Sequence, residues 1–274
     1  MTVRYPDLLI KTIGIVSRDY NHVFPNGKRD FSFALHRVLK LLDDQGCDLA
    51  LFSLFTLIPR RGHELKYALG GLTSLKMVVI EEFEDGPERK AGEVVVYIKD
   101  GLDWREHRIK QAFGKVNWAK DIPKLKTFIR EELSRRCFGN TCLFICGEIN
   151  GVKYDKLGSK QIIDIAGLRN AIPDHIDLIL NPQHDKTTRF EMPMKKAFLS
   201  ARNRTLVSAW NKGRVDSRGR VKDGKGPAWG IFIDSFHLSI LPEDNRLSLE
   251  ICRLNTNVKN HDQDDQFDQY DVKQ

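Results

Sequence analysis

The segment NTCLFICGEING, from Asn140 to Gly151, contains the residues of this chain that are best suited to chemistry. Cys146 follows a run of apolar and small residues and precedes a Gly-Glu pair, a pattern typical of a buried strand that ends in a turn. A thiol at such a strand end can face a cleft and act as a nucleophile. A free cysteine is also among the most buried residue types, and on this segment alone an unused buried thiol is the favoured interpretation.

The cysteines and the amino terminus indicate the compartment. The five cysteines form no Cys-x-x-Cys pair and lie mostly in apolar runs, so they predict reduced thiols and no disulfide framework. They are Cys47, Cys137, Cys142, Cys146 and Cys252. The first apolar segment is interrupted by Lys11 and is too short and too polar for a signal peptide or a membrane span. The expected location is the cytoplasm, with no membrane partner.

The elements that precede the Cys146 segment follow a β-α-β pattern. Leu8–Val16 is apolar and rich in β-branched residues and predicts a buried strand. From Phe31 the apolar residues recur at helical spacing until Gly46, and Asp48–Phe55 predicts a second buried strand. The segments SLKMVVIEEF and GEVVVYIKDG flank the turn-rich EDGPERKA and predict a hairpin.

The remainder of the chain continues the alternation of helices and strands. Residues 104–126 are basic and predict a loop, and LKTFIREELSRR predicts a short helix before the strand CLFICG. Residues 160–183 predict a helix, a turn and a strand, and Phe190–Arg204 predicts a helix before the strand TLVSAWN. AWGIFIDSFHLSI and LSLEICRLN predict a last pair of strands. The expected organisation is one α/β domain over residues 1–257 and a mobile, acidic, Gln-rich tail over residues 258–274.

Three segments, taken in order, resemble the nitrilase, or carbon-nitrogen hydrolase, superfamily over residues 9–254. They are GCDLALFSLF, FICGEINGV and HIDLILNPQ followed by AFLSARNRTLVSAWN. The resemblance implies a four-layer αββα sandwich, in which two stacked sheets are covered by helices on both outer faces. It also implies a small-molecule amide or nitrile substrate, no metal or organic cofactor, and a homodimer.

The resemblance also implies roles for individual residues. Family members use a Cys nucleophile, a Glu base and a Lys that stabilises the oxyanion. Cys146 lies at the nucleophile position, and Lys110 or Lys115 lies where the family lysine is expected, with Lys110 preferred. Glu148, Leu54 and Asn181 fall in the matched segments as residues that support the pocket, and an exposed acid in a turn is the open alternative for Glu148.

The expected glutamate is missing from this chain. Where the family has Phe-Pro-Glu, the sequence reads Phe52-Ser53-Leu54, and a leucine cannot accept a proton. Another side chain must therefore take the thiol proton if the chain is an active enzyme. The candidates are the carboxylates of Glu64, Glu81 and Glu82, with Glu64 preferred, and the imidazoles of His63 and His107.

Positive charge is concentrated in one segment of a chain whose formal net charge is +7. Residues 186–225 contain twelve Lys or Arg and three acids, which suits contacts with nucleic-acid phosphates. The candidate contacts are Arg202, Arg204, Arg214, Arg218 and Arg220. The favoured alternative is that Arg202 and Arg204 bracket the pocket or pack at a subunit interface while the rest is a solvated loop.

The sequence thus supports two principal hypotheses. The first is a divergent thiol amidohydrolase that cleaves a non-peptide C–N bond through a thioester at Cys146, with a rate reduced by the missing base. The second is an inactive descendant whose pocket binds a small ligand or a partner. A nucleic-acid-binding surface over residues 186–225 is the third and least favoured reading.

Overall fold

The computed structural model describes residues 5–19, 31, 34–57, 62–84, 90–187, 189–213, 227–238 and 249–256. The α-helices of these residues are α1 (Leu35–Asp44), α2 (Gly62–Gly70), α3 (Ile122–Thr127), α4 (Leu168–Ala171) and α5 (Glu191–Ser200). The strands are β1 (Thr12–Arg18), β2 (Leu49–Phe52), β3 (Met77–Glu84), β4 (Lys90–Asp100), β5 (Asp103–Ile109), β6 (Cys137–Phe138), β7 (Thr141–Leu143), β8 (Lys153–Tyr154), β9 (Ile162–Ile163), β10 (Leu178–Asp185), β11 (Thr205–Asn211), β12 (Trp229–Ile233), β13 (Phe236–Leu238) and β14 (Leu249–Asn255). The predicted tail over residues 258–274 lies outside the described residues.

The first sheet has the strand order β14-β1-β2-β3-β4-β5. Strands β1 and β2 are parallel, with Ile13 opposite Leu49, and α1 connects them, which confirms the predicted β-α-β unit. Strands β3 and β4 are antiparallel, with Met77 opposite Ile98, which confirms the predicted hairpin. The parallel strands β1, β2 and β3 all end at the same edge of this sheet.

The second sheet has the order β13-β12-β11-β10-β7-β6. Its centre is formed by the parallel strands β7, β10 and β11, which pair along Leu143, Leu180 and Val207. These strands are almost entirely buried because one face packs on the first sheet and the other packs on helices. Strand β7 ends at Leu143, three residues before Cys146.

Three apolar clusters define the layers. One lies between the two sheets and contains Ile15, Leu51 and Leu180. A second covers the outer face of the first sheet with α1 and α2, and a third covers the outer face of the second sheet with α3 and α5. This arrangement is the predicted four-layer αββα sandwich. Among the helices of the described residues, none combines the length and the apolar composition that a membrane crossing requires.

Two segments differ from the sequence prediction for local reasons. Residues 104–126, predicted as a loop, contain most of β5, an edge strand with one strand partner, β4. Its side chains are mostly exposed, so its sequence lacks apolar alternation. Residues 160–171, predicted as a helix, form only β9 and the single turn of α4, because Gly167 has a left-handed φ of 78°.

The last pair of predicted strands also differs. Strand β12 pairs with β13, which follows it immediately, whereas β14 crosses to the first sheet and runs antiparallel to β1. Leu254 of β14 lies opposite Ile13. The pairing depends on a contact between the two ends of the chain, which local sequence patterns do not encode.

Candidate active site

Cys146 lies at the point where the segment after β7 turns into a short 3-10 helix, Cys146–Gly151. Its φ of 46° is in the left-handed region, which costs a non-glycine residue about 1–2 kcal/mol. The side-chain amide of Asn181 on β10 donates to the carbonyls of Phe144 (2.8 Å) and Cys146 (3.1 Å). Asn181 therefore ties the strained turn to the centre of the second sheet.

Glu148 is fully buried beneath the same turn. Its carboxylate lies 2.9 Å from the guanidinium of Arg136 and accepts the backbone N–H groups of Ile145 (2.8 Å) and Ala112 (2.6 Å). Burial raises the pKa of this carboxyl, while the Arg136 charge and the two N–H donors oppose that effect. Glu148 thus holds the turn on which Cys146 sits and joins it to the segment that follows β5.

Replacing Arg136 with Met is expected to lower the free energy of unfolding by about 3–5 kcal/mol, because the buried Glu148 carboxyl loses its cation and must either stay charged without it or take up a proton. Urea unfolding followed by far-UV circular dichroism measures the loss. The double variant with Glu148→Gln removes both charges and should recover part of it. An equal loss in the single and double variants would contradict the ion-pair explanation.

The thiol of Cys146 lies beside the imidazole of His184, near the end of β10, and the two groups interact electrostatically. Nε2 of that ring lies 3.0 Å from both carboxylate oxygens of Glu81 on β3. Glu81 is buried and also accepts the backbone N–H groups of Phe55 (2.6 Å) and Gly92 (3.1 Å). A thiol, an imidazole and a carboxylate are therefore linked in series, with one ring nitrogen fixed by Glu81.

The charges in this series stabilise one another. Burial by itself raises the pKa of the Cys146 thiol, but the hydrogen bond to His184, the imidazolium charge, and the backbone N–H groups of His184 and Gly147 bring it below its ordinary value. Burial by itself lowers the pKa of His184, but the hydrogen bonds to Cys146 and Glu81 outweigh it and raise the pKa to about 9. The site therefore favours the thiolate and the imidazolium more than isolated side chains would.

Glu81 supplies a carboxylate close to the position where the sequence lacks one. Leu54 is fully buried and belongs to the apolar cluster between the sheets, so its side chain does not take part in the series. The next residue, Phe55, donates its N–H to Glu81 and packs its ring 4.1 Å from the His184 ring, centroid to centroid. Phe55 also has a left-handed φ of 60°, so a second strained backbone position borders the site.

The other side chains predicted for catalysis lie elsewhere in the described residues. The Lys110 side chain is 80% exposed and its Nζ lies 3.6 Å from Glu93, and Lys115 is also exposed. His107 shares a hydrogen bond of 2.6 Å with the Tyr5 hydroxyl. Glu64 lies in α2 with His63, and their side chains are outside the described part of the chain.

The arginines predicted for nucleic-acid contact divide into two groups. Arg202 is exposed and donates to Asn170 at 3.0 Å. The guanidinium of Arg204 is buried and donates to the carbonyls of Ile176 and Ile172, both at 3.1 Å, which joins α4 to β11. Arg214, Arg218 and Arg220 lie outside the described residues.

The sequence analysis missed His184. It directly follows the matched segment HIDLILNPQ, and its position at the end of a buried strand was the available signal. Glu81 was considered only as a substitute for the missing acid. Within the described residues, no cluster of three His, Cys, Asp or Glu side chains is arranged to hold a metal ion.

Comparisons with known proteins give structural likeness alone. No family model matches the sequence, and no curated protein matches it. A mutant of the amidase from Nesterenkonia sp. AN1 matches with a TM-score of 0.48 and 15% identity, over 93% of this chain and 94% of that chain. A glutamine-dependent NAD(+) synthetase from Cytophaga hutchinsonii matches with a TM-score of 0.48 and 8% identity, over 90% of this chain and 43% of the synthetase. A carbon-nitrogen hydrolase from Helicobacter pylori G27 matches with a TM-score of 0.47 and 11% identity, over 90% of this chain and 89% of that chain. At these values the likeness assigns no activity, which must be argued from the side chains of this chain.

Proposed function

We propose that the protein is a nitrilase-like cysteine hydrolase in which Cys146 is the nucleophile, His184 the general base and Glu81 the residue that orients the imidazole. The observation that carries the proposal is the series Cys146–His184–Glu81, in which the imidazole lies beside the thiol and its Nε2 lies 3.0 Å from the Glu81 carboxylate. The order of the three nitrilase-like segments and the αββα sandwich support the choice of a carbon-nitrogen bond as the target. The family Lys and Glu roles have no counterpart in this proposal at Lys110, Lys115 or Leu54.

The series can carry both halves of a hydrolysis. His184 holds the thiol proton as an imidazolium, and the Cys146 thiolate attacks the amide carbon, whose carbonyl electrons move to its oxygen. When the tetrahedral intermediate collapses, the C–N bond breaks and His184 gives its proton to the leaving nitrogen, which leaves a thioester on Cys146. Neutral His184 then takes a proton from water, the hydroxide attacks the thioester, and the acid and the free thiol are released.

Glu81 serves this cycle without exchanging a proton. Its carboxylate stabilises the imidazolium and fixes the ring so that one nitrogen remains available to the sulfur. The backbone N–H groups of Phe55 and Gly92 hold the carboxylate in turn, so its position is set by the first sheet. The site therefore joins the Cys146 nucleophile of the second sheet to the Glu81 carboxylate of the first sheet.

The proposal predicts that iodoacetamide at pH 7 alkylates Cys146 much faster than the other cysteines, by about 100-fold. Cys47, Cys137 and Cys142 are buried and serve as internal controls, and mass spectrometry of the digested protein gives each rate. Ammonia release from a panel of small amides and nitriles, lost in Cys146→Ser, measures hydrolysis. Alkylation of Cys146 no faster than the others, with no ammonia release, would overturn the proposal in favour of a ligand-binding descendant.

A further inference from the structure

A second group of side chains, outside the series above, lies around the indole of Trp210. The Lys196 side chain on α5 is only 7% exposed, and its Nζ lies 5.2 Å from the centroid of the Trp210 ring. Nζ of Lys186 lies 5.8 Å from the same ring. Two ammonium groups therefore flank one aromatic ring on a strand, β11, that is buried along its whole length.

The described residues provide no acceptor for the Lys196 ammonium. The contrast is with its neighbour Lys195, whose Nζ donates to the side-chain oxygen of Asn150 at 3.0 Å. The indole N–H of Trp210 is also buried without an acceptor in the part of the chain that the structure describes. A buried cation is costly unless an anion or several acceptors accompany it, and Lys196 has neither among the described residues.

This group belongs to the surroundings of Cys146, which packs against the apolar cluster that contains Trp210. The charges of Lys196 and Cys146 interact, and burial together with the Lys186 charge lowers the pKa of Lys196 to about 7 while the thiolate opposes that effect. His184 and the N–H of Gly147 lower the pKa of the Cys146 thiol as hydrogen-bond partners, whereas Lys196 interacts with the thiolate through its charge. The ammonium is therefore near the nucleophile without touching it.

The position of Lys196, near the sulfur but not in contact with it, distinguishes between two roles for this lysine. A group that stabilises an oxyanion must lie within hydrogen-bond distance of the oxygen on the attacked carbon, next to the sulfur. A group that recognises another part of the substrate lies farther from the sulfur and needs a complementary charge on the substrate. Burial, the absence of a described acceptor and the charge-only coupling to Cys146 all suit the second role.

We propose that the substrate carries an anionic group, a carboxylate, that binds between Lys196 and Lys186 against Trp210 while its amide or nitrile carbon lies at Cys146. This inference rests on the proposed function, because it assigns a substrate class to the same site. The carboxylate would supply the acceptor that the Lys196 ammonium lacks, with a charge-assisted hydrogen bond. An uncharged amide of the same size would bind without that partner and would leave the ammonium uncompensated.

Iodoacetate and iodoacetamide test this inference because they differ in charge and hardly in size. With each probe the thiolate displaces iodide, so that an S–C bond forms and the C–I bond breaks. We expect Lys196→Met to slow alkylation of Cys146 by iodoacetate about tenfold, as expected for loss of a nearby charge in a partly screened site. The rate with iodoacetamide should change less than twofold. Lys195→Met is the matched control, because it removes the same charge from the adjacent residue, and it should leave the ratio of the two rates unchanged.

The two probes also keep the two proposals apart. If Cys146 reacts selectively with iodoacetamide but Lys196→Met leaves the ratio of the rates unaltered, the anionic substrate is wrong and the nucleophile stands. An equal loss with both probes would show that Lys196 affects only the thiolate and does not recognise the charge of the probe, which also overturns the inference. If neither probe selects Cys146 in the unaltered protein, the proposed function fails first.

Discussion

Replacing His184 with Gln is expected to slow the alkylation of Cys146 by iodoacetamide at pH 7 by about 100-fold or more. The imidazolium and its hydrogen bond are what bring the thiol pKa below its ordinary value, and burial alone acts in the opposite direction. Without His184 the thiol pKa rises above its ordinary value of about 8.5, so only a small fraction is thiolate at pH 7. The rate is measured by mass spectrometry of the Cys146 peptide over time.

The pH dependence of the same reaction shows independently in which direction the thiol pKa moves. As the pH is lowered, the alkylation rate of the unaltered protein should fall only at a pH below the ordinary thiol pKa, because the thiolate persists to lower pH. In His184→Gln the midpoint should move to a pH above about 8.5. His107→Gln is the control, because His107 is bonded to Tyr5 and not to the thiol. A midpoint that stays in place in His184→Gln, or moves in His107→Gln, would contradict the assignment of the base.

Much of the architecture could be predicted because its elements carry local patterns. The β1-α1-β2 unit, the β3–β4 hairpin and β11 follow from runs of apolar residues with clear boundaries. Strand β5 could not be predicted, since an edge strand with mostly exposed side chains has no apolar alternation. The partner of β14 could not be predicted either, because sheet pairing between distant segments is decided by the packed core.

The site was harder to predict than the fold, for a physical reason. The series joins Cys146 and His184 of the second sheet to Glu81 of the first, and His184 and Glu81 are 103 positions apart in the chain. Leu54 predicts that the expected side chain is absent, but a carboxylate from a neighbouring strand has no fixed spacing from it. Position in a packed sandwich, and not order in the sequence, brings the three groups together.

The Glu81 carboxylate is the part of the series whose removal has the clearest electrostatic consequence. Glu81→Gln keeps the size of the side chain and an oxygen that can accept the N–H of Phe55, but it removes the negative charge. Burial and the interaction with Cys146 then remain at His184, and the loss of the Glu81 charge should lower its pKa from about 9. Titration of the His184 ring protons by nuclear magnetic resonance measures the change directly.

The loss of that charge should also reach the nucleophile. Because a lower His184 pKa leaves less imidazolium at pH 8, the Cys146 thiolate loses part of the support of its cationic partner, and we expect alkylation by iodoacetamide to slow by up to about tenfold. Glu82→Gln is the matched control, because Glu82 is the next residue of β3 and its carboxylate lies 2.6 Å from Arg108, away from His184. If Glu81→Gln and Glu82→Gln shift the His184 titration equally, the His184 pKa responds to the loss of any negative charge on β3 and not to Glu81 in particular. A shift of the His184 titration confined to Glu81→Gln, together with the slower alkylation, requires a carboxylate that acts on the thiol through the imidazole. Glu81 is then the functional replacement for the glutamate that is missing where the sequence has Leu54.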